Sequence, residues 1–235
     1  MNVIITGASK GIGKAIATIF AANGYDLVLC SRNEVALYKA MEELQTRFPL
    51  ITIKAKAFDL GKQAKEFGDW ILEAGIVPHI IVNNAGLFEP GSVYNEPEGV
   101  LEDQITTNLY SAYHLTRKLL PGMMKNASTG SGGHVFNICS IASLQAYKNG
   151  GAYSISKFAM DGFNKNLREE MKSFGIKVTA VYPGAVLTDS WAGFDNSNHR
   201  IMEAGDVAKM VYAASQLSIA ACVEEIVMRP QLGDL

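Results

Sequence analysis

Seven short apolar runs alternate along this chain with longer stretches of helical periodicity, and that alternation limits the possible folds more than any other property of the sequence. The runs are Val3–Thr6, Leu27–Cys30, Ile51–Ala57, His79–Val82, His134–Cys139, Lys177–Val181 and Glu225–Met228. Between them lie the helical stretches Lys14–Ala22, Glu34–Phe48, Lys62–Ala74, Leu101–Lys118 and Tyr153–Phe174. A strand covered on one face alternates apolar and polar residues, whereas a strand covered on both reads as a continuous apolar run. Strand, helix, strand, repeated with right-handed crossovers, predicts an α/β fold: a doubly wound parallel sheet of Rossmann type with helices on both faces. Asn23-Gly24 supplies a helix-ending glycine, and Gly130-Ser131-Gly132-Gly133 a tight turn into the fifth strand.

Length and composition narrow the partners. The 235 residues are expected to form one domain, 1–235, because α/β chains of this size are routinely single. With 48% hydrophobic and 19% charged residues the chain can bury a substantial core. A formal net charge of -2 leaves no footprint for nucleic acid or an anionic membrane, so small molecules are the expected partners. Cys30, Cys139 and Cys222 are odd in number and widely spaced, which argues against a disulfide framework or a zinc site. The first apolar run starts at Val3 and no run approaches a bilayer span, so a soluble, cytoplasmic chain is expected.

Two groups of residues carry chemistry. Gly7-x-x-x-Gly11-x-Gly13 follows an apolar strand and opens a helix, so backbone N–H groups and the positive helix end face whatever binds there, and a pyrophosphate suits that place. Far downstream, Tyr153 and Lys157 stand four residues apart, on one face of a helix. An ammonium beneath a phenol favours its ionised form, and a phenol tuned toward operating pH can exchange a proton with a carbonyl or alcohol. A cofactor loop and a proton donor together predict oxidoreduction. Taken alone, Tyr-x-x-x-Lys equally describes a half-buried tyrosine whose lysine stem covers apolar surface.

The order of motifs removes that ambiguity. Thr6 to Gly13, Asn83-Asn84-Ala85-Gly86, Asn108, Ser140 and Tyr153 with Lys157 stand in a sequence and spacing that resembles the short-chain dehydrogenase/reductase family across essentially the whole chain. The resemblance implies a catalytic set of Asn108, Ser140, Tyr153 and Lys157. Tyr153 would protonate a carbonyl oxygen in reduction, Ser140 would donate to the same oxygen, and Lys157 would lower the Tyr153 pKa and bind the nicotinamide ribose. Asn108 would hold a water that links Lys157 to solvent. Ser140 is favoured over Ser143 and Ser156 because it ends an apolar strand at the carboxyl edge, where open α/β sheets bind ligands. It also has the family spacing to Tyr153.

For the cofactor, the resemblance implies contacts from Gly7, Ser9, Lys10, Gly11, Ile12 and Gly13, from Asp59 and Leu60, and from Asn83, Ala85 and Gly86. Asn83 would lie near the adenine side and Asp59 would accept from the adenine amino group; Asp59 is equally an N-cap for the next helix. Pro183-Gly184-Ala185-Val186-Leu187-Thr188 resembles the family's Pro-Gly-x-x-x-Thr, with Val186 meeting the carboxamide of the nicotinamide. Charge then selects the cofactor. The second strand ends in Cys30-Ser31-Arg32 with no carboxylate at its tip, and Lys10 is a second cation on that side. Arg32 and Lys10 favour a 2′-phosphate, so NADP(H) is expected over NAD(H).

The segment from about 185 to 205 has loop composition and is the expected substrate loop; Trp191 and Phe194 in it form either a lid or a packing patch. His79, His114, His134 and His199 form no ligand-spaced cluster, and no metal site is expected. Ile155, Phe158, Ala159, Gly162, Phe163, Leu167 and Met171 give the Tyr153 helix a broad apolar surface, from which a homodimer or homotetramer is expected. The substrate itself is open among 3-oxoacyl thioesters, diketones, pterin-like carbonyls, steroids and sugars. Alcohol oxidation, dehydration or epimerisation on the same frame, or a non-catalytic NADP(H) sensor, are the competing functions.

Overall fold

The strands are β1 (Asn2–Thr6), β2 (Asp26–Ser31), β3 (Ile53–Ala57), β4 (Ile80–Asn83), β5 (Gly133–Ile138), β6 (Ile176–Pro183), β7 (Val186–Leu187), β8 (Met202–Glu203) and β9 (Glu225–Met228). The computed structural model describes residues 1–127, 130, 132–191 and 193–234, so Ser131 of the expected glycine turn, Ala192 of the expected substrate loop and the terminal Leu235 lie outside the described residues. Seven strands form one parallel sheet in the order β3-β2-β1-β4-β5-β6-β9, and β7 pairs with β8 in a small second sheet.

Both faces of the large sheet are covered, which is why its strands read as apolar runs. Val3 and Ile5 of β1 join Leu27 and Leu29 of β2 on one face, under α1 (Gly11–Ala22), α2 (Glu34–Arg47) and α7 (Ala204–Ser215). Ile4 and the intervening Val28 and Cys30 point to the other face, under α3 (Leu60–Glu73), α5 (Ser111–Asn126) and α6 (Gly151–Met171). The period of two along each strand sorts one apolar run into two cores.

Three expectations need correction. The third strand is not continuously apolar: Lys54 and Lys56 are exposed between half-buried Ile53, Ala55 and Ala57, because β3 is an edge strand, where outward lysines deter pairing with another chain. The expected helix Leu101–Lys118 is interrupted. It consists of α4 (Val100–Ile105), a π-helical turn over Thr106–Tyr110 and α5, and it continues past Pro121 to Asn126. The expected loop 185–205 contains the β7 and β8 strands, and α7 begins inside its last residues; Glu203 and Asp206 form the capping box that starts it.

Beneath the sheet's carboxyl edge runs a chain of buried amides. Asn83 Nδ2 donates to Thr116 Oγ1 and to Asn137 Oδ1, both at 2.8 Å, and Asn137 Nδ2 donates to Asn164 Oδ1 at 2.8 Å. It ties β4 and β5 to α5 and α6. Replacing Asn137, which is wholly buried, by Ala leaves a lost partner on each side. A buried group left unpaired costs about 1–3 kcal/mol, so Asn137→Ala is expected to lower stability by about 2–4 kcal/mol. Urea unfolding with an unchanged m-value checks this, and an unshifted midpoint would refute the network's contribution.

Candidate active site

The sheet order reverses between β1 and β4, and the loops leaving their carboxyl ends part there to open a crevice. From β1 comes the glycine loop. Gly7 and Gly11 adopt φ of +63° and +54°, a region that favours glycine. A Cβ on Gly13 would stand 2.3 Å from the Gly7 carbonyl oxygen, and one on Gly11 would stand 3.1 Å from Thr188 Cγ2. Lys10, the N-cap of α1, makes no side-chain cap, and the first turn holds no acidic residue. Open amides at a positive helix end beside a backbone without side chains match a dinucleotide pyrophosphate. Ser9 and Ile12 are half-buried in this loop, and Ile12 reaches the cavity wall.

From β4 comes Asn84-Ala85-Gly86, clasped to the glycine loop. Thr6 Oγ1 accepts from the N–H groups of Asn84 and Ala85, each at 2.9 Å, while Asn84 Nδ2 donates to the carbonyls of Thr6 (2.9 Å) and Gly7 (3.1 Å). Asn84 is the working member of the motif. Asn83 was expected beside the adenine, but its side chain is buried in the amide chain under the sheet and is absent from the cavity wall. The strand's period of two turns the Asn83 side chain away from the crevice.

Other expected cofactor residues fall on the same rim or near it. Arg32 follows β2 and is exposed. Lys10 is ion-paired with Asp189, both about two-thirds exposed, so the pair is weak. Asp59 caps α3 by accepting from Gly61 N–H at 3.2 Å, and Leu60 after it is buried. Pro183 ends β6, Gly184 N–H donates to the Met228 carbonyl at 2.8 Å, and Val186, 4% exposed, and Thr188 line the cavity. Met202 N–H donates to the Ala185 carbonyl at 3.1 Å. This parallel ladder uses the neighbours of Val186 and directs Val186's own N–H and C=O to the other side.

The cavity, of about 530 Å³, brings Ser140, Tyr153 and Lys157 together against Gly86, Pro183 and Thr188. Ser140 stands where β5 gives way to a 3₁₀ turn over Ile141–Ser143; its Oγ accepts from Ala142 N–H at 3.1 Å, and Ser143 Oγ accepts from Ser140 N–H at 3.3 Å. Ser143 is therefore the brace for Ser140. Lys157, 6% exposed, donates to the Ile138 carbonyl at 3.0 Å, and its Nζ lies 5.8 Å from the centre of the Tyr153 ring. Phe88 meets the same ring edge-on, with centroids 4.8 Å apart.

The electrostatics differ from the expected picture. Burial raises Tyr153 above the ordinary phenol value, with the Ser140 hydroxyl's hydrogen bond pulling it back and the Cys139 thiol pushing it up. Burial likewise lowers Lys157 below the ordinary ammonium value. Among the protein's own groups, desolvation outweighs the attraction that was expected to depress Tyr153. The result is a phenol held against a hydroxyl, with burial disfavouring the charged forms of both Tyr153 and Lys157.

Asn108 sits in the π-helical turn, 1% exposed, and its amide grips the strap after Gly86: Leu87 N–H donates to Oδ1 at 2.6 Å and Nδ2 donates to the Leu87 carbonyl at 2.9 Å. Nδ2 also donates to Ser156 Oγ at 2.8 Å, and Ser156 Oγ in turn donates to the Tyr153 carbonyl at 2.7 Å. The side chain of Asn108 thus braces the Tyr153 helix and the strap. The sequence favours Ser140 over Ser156 and assigns Ser156 no role. Its contact is with a residue 48 positions away, for which the sequence holds no local signal.

Trp191 lines the cavity and packs edge-on against Phe194 at 5.4 Å, while Phe194 does not itself reach the cavity wall. His199 lines a separate cavity of about 210 Å³ with Ile201, Met202 and Pro230. Among the described residues no group of His, Cys, Asp and Glu stands together as a metal set, and no helix is long and apolar enough to cross a membrane.

Comparison with known proteins agrees with this geometry. The family model for short chain dehydrogenases matches residues 1–198. A sepiapterin reductase of Chlorobaculum tepidum is 32% identical over 242 residues, covering 99% of this chain and 97% of the relative. Among solved structures, the alcohol dehydrogenase of the archaeon Thermococcus sibiricus, complexed with 5-hydroxy-NADP, superposes with a TM-score of 0.87 at 25% identity, covering 98% of this chain and 96% of that one. A serine dehydrogenase complexed with NADP+ superposes with a TM-score of 0.88 at 25% identity over 100% of this chain and 97% of its own. The family model and the full-length relative coincide with the placed glycine loop, serine, tyrosine and lysine: this chain belongs to the short-chain dehydrogenase family of oxidoreductases.

Proposed function

We propose that the chain is an NADP(H)-dependent reductase that converts the carbonyl of a small molecule to an alcohol. The observation that carries this is the convergence of Ser140, Tyr153 and Lys157 on one cavity whose far wall is the rim of the glycine loop. Gly7 to Gly13 would hold the cofactor's pyrophosphate and Val186 its carboxamide. When bound, the cofactor supplies the hydride.

The chain's own residues do the rest. Ser140 donates to the carbonyl oxygen and polarises it. Tyr153, protonated because burial raises it, passes its proton to that oxygen as charge develops there. Lys157, anchored on the Ile138 carbonyl, presents its ammonium beneath the ring, where it offsets the phenolate charge left on Tyr153. In the reverse direction the same phenolate accepts the alcohol proton. Phe88, Trp191 and Tyr147 line the cavity with aromatic rings.

Tyr153→Phe keeps the ring and its contact with Phe88 but removes the proton. Since general acid–base catalysis contributes about 10²–10⁴-fold, kcat is expected to fall at least a hundredfold with the cofactor's Kd little changed. NADPH oxidation against a panel of carbonyl compounds, with cofactor titration by fluorescence, reads both. A variant that turned over normally would end the assignment of Tyr153.

NADP(H) is favoured over NAD(H) because Arg32 stands at the tip of β2 with no carboxylate beside it, while Asp26, at the strand's other end, accepts from Thr52 N–H at 2.7 Å. The NADP-complexed relatives support the choice. Arg32→Asp removes attraction and adds repulsion, so with charged hydrogen bonds near 1.5–3 kcal/mol the NADPH Kd should rise roughly ten- to hundredfold while NADH is spared. Tighter NADH than NADPH binding by the unmodified protein would reverse the cofactor assignment.

The same helices support a homodimer or homotetramer. Ile155 and Phe158 of α6 are 45% and 44% exposed, Tyr110 and Tyr113 beside them 48% and 40%, and nothing lies within 4 Å of where a Cβ on Gly162 would stand. Leu167 and Met171, expected on that face, are instead buried in the chain's own core. An open apolar face with a glycine for close approach suits a two-fold helix pairing. Light scattering should show a dimer or tetramer at micromolar concentration, and a stable active monomer would contradict the pairing.

A further inference from the structure

The N-terminus of α6, the helix that carries Tyr153, is closed by a carboxylate from elsewhere in the chain. Gly150, its N-cap residue, makes no side-chain cap. Glu96 Oε1 accepts from Ala152 N–H at 2.8 Å, across 56 residues. The fit is close. A Cβ on Gly151 would stand 1.9 Å from that oxygen, and one on Gly91 would stand 2.6 Å from Glu96 Cγ. The strap bearing Glu96 is itself pinned to the approach to α6: Gly91 N–H donates to the Asn149 carbonyl at 3.2 Å and Ser92 Oγ donates to Asn149 Oδ1 at 2.7 Å. At its other end Asn108 grips Leu87 by both its N–H and its C=O, and Phe88 next to it packs on the Tyr153 ring.

We infer that Glu96 is a positioning residue for Tyr153: its carboxylate locks the first turn of α6 to the strap and so fixes where the phenol stands. Tyr153 lies in that first turn, directly after Ala152. A freed helix end frays first in its opening turn. The lock therefore acts on the tyrosine more than on Lys157, one turn deeper and held separately by Ile138. Negative charge at a helix N-terminus adds to the hold. This inference rests on Tyr153 being the proton donor, and its test is arranged so that the two can fail apart.

Glu96→Ala and Glu96→Gln are compared with the unmodified protein and Tyr153→Phe. Gln keeps an acceptor oxygen at the same reach. The expected result for Glu96→Ala is a kcat reduced roughly ten- to hundredfold, as for an ångström-scale misplacement of a reacting group, with KM for NADPH within about threefold. Glu96→Gln should recover most of that loss. A second readout needs no activity: amide hydrogen exchange over residues 150–156 should accelerate in Glu96→Ala, remain near normal in Glu96→Gln, and leave the rest of α6 unchanged. Unaltered exchange in Glu96→Ala overturns the lock whatever the chemistry, and so does a kcat loss that Gln fails to restore. If exchange responds as expected but the kcat of Glu96→Ala is normal while Tyr153→Phe is inactive, positioning by Glu96 is refuted and the role of Tyr153 survives. If Tyr153→Phe is as active as the unmodified protein, the proton-donor assignment falls, and positioning of a donor falls with it.

Discussion

Two strands that part company leave backbone groups unpaired, and the site depends on how this chain satisfies them where β1 and β4 end. One threonine and one asparagine do it. Thr6 Oγ1 accepts from two amides of the β4 loop and donates to the Val82 carbonyl at 3.3 Å, while Asn84 reaches back to two carbonyls of the β1 loop. A buried or half-buried backbone group without a partner is costly, so this reciprocal clasp is what lets the crevice stay open without unravelling the strand ends. It also explains the glycines: Asn84 Nδ2 would stand 2.8 Å from a Cβ on Gly7 and 2.5 Å from one on Gly13, so side chains there would displace the clasp before they met any ligand.

From that crevice the polar groups are distributed by depth. Asn83, Asn137, Asn164 and Thr116 lie beneath the sheet edge and hydrogen-bond to one another, with Asn83 Oδ1 left unpaired. Ser140, Tyr153 and Lys157 lie at the edge and line the cavity. The deeper set holds β4, β5, α5 and α6 in register, and the upper set stands on those same elements, so the positions of the cavity-lining polar groups are inherited from an amide network that never touches the cavity. Burial acts on both layers with opposite consequences. Below, it strengthens the hydrogen bonds that link the amides. Above, it disfavours the charged forms of Tyr153 and Lys157, raising the one and lowering the other.

Much of this was legible in the residues. The seven large-sheet strands begin and end within about two residues of their apolar runs, because covered faces demand unbroken apolar sequence. That Ser140, Tyr153 and Lys157 line one cavity is consistent with their local setting, a strand end or one face of a helix. The failures share a different cause. The edge strand β3 alternates because only edge exposure, a property of sheet order, decides it. The helix α7 was missed, although Glu203 and Asp206 spell its capping box, because the preceding loop hid its start. The break at Thr106–Tyr110 has no sequence mark; it arises from Asn108 turning inward to reach Leu87 and Ser156.

That inward turn shows why spacing alone undercounts the residues a site needs. A π turn inserts one extra residue into a helix and so rotates the next turn about the axis, and such turns collect at functional places because they re-aim a side chain at modest cost. Here the rotation presents one amide to the strap and to the Tyr153 helix at once. Ser156 completes the link by donating its hydroxyl hydrogen to the Tyr153 carbonyl. Tyr153 and Lys157 are thus held from behind through Asn108 and Ser156. They are held from the front by Phe88 on the Tyr153 ring, and from below by Ile138 on Lys157. Tyr153 and Lys157 share one face of α6, but Asn108, Phe88 and Ile138 reach them from other segments, so the pair is fixed in the cavity only once the sheet has brought those segments together.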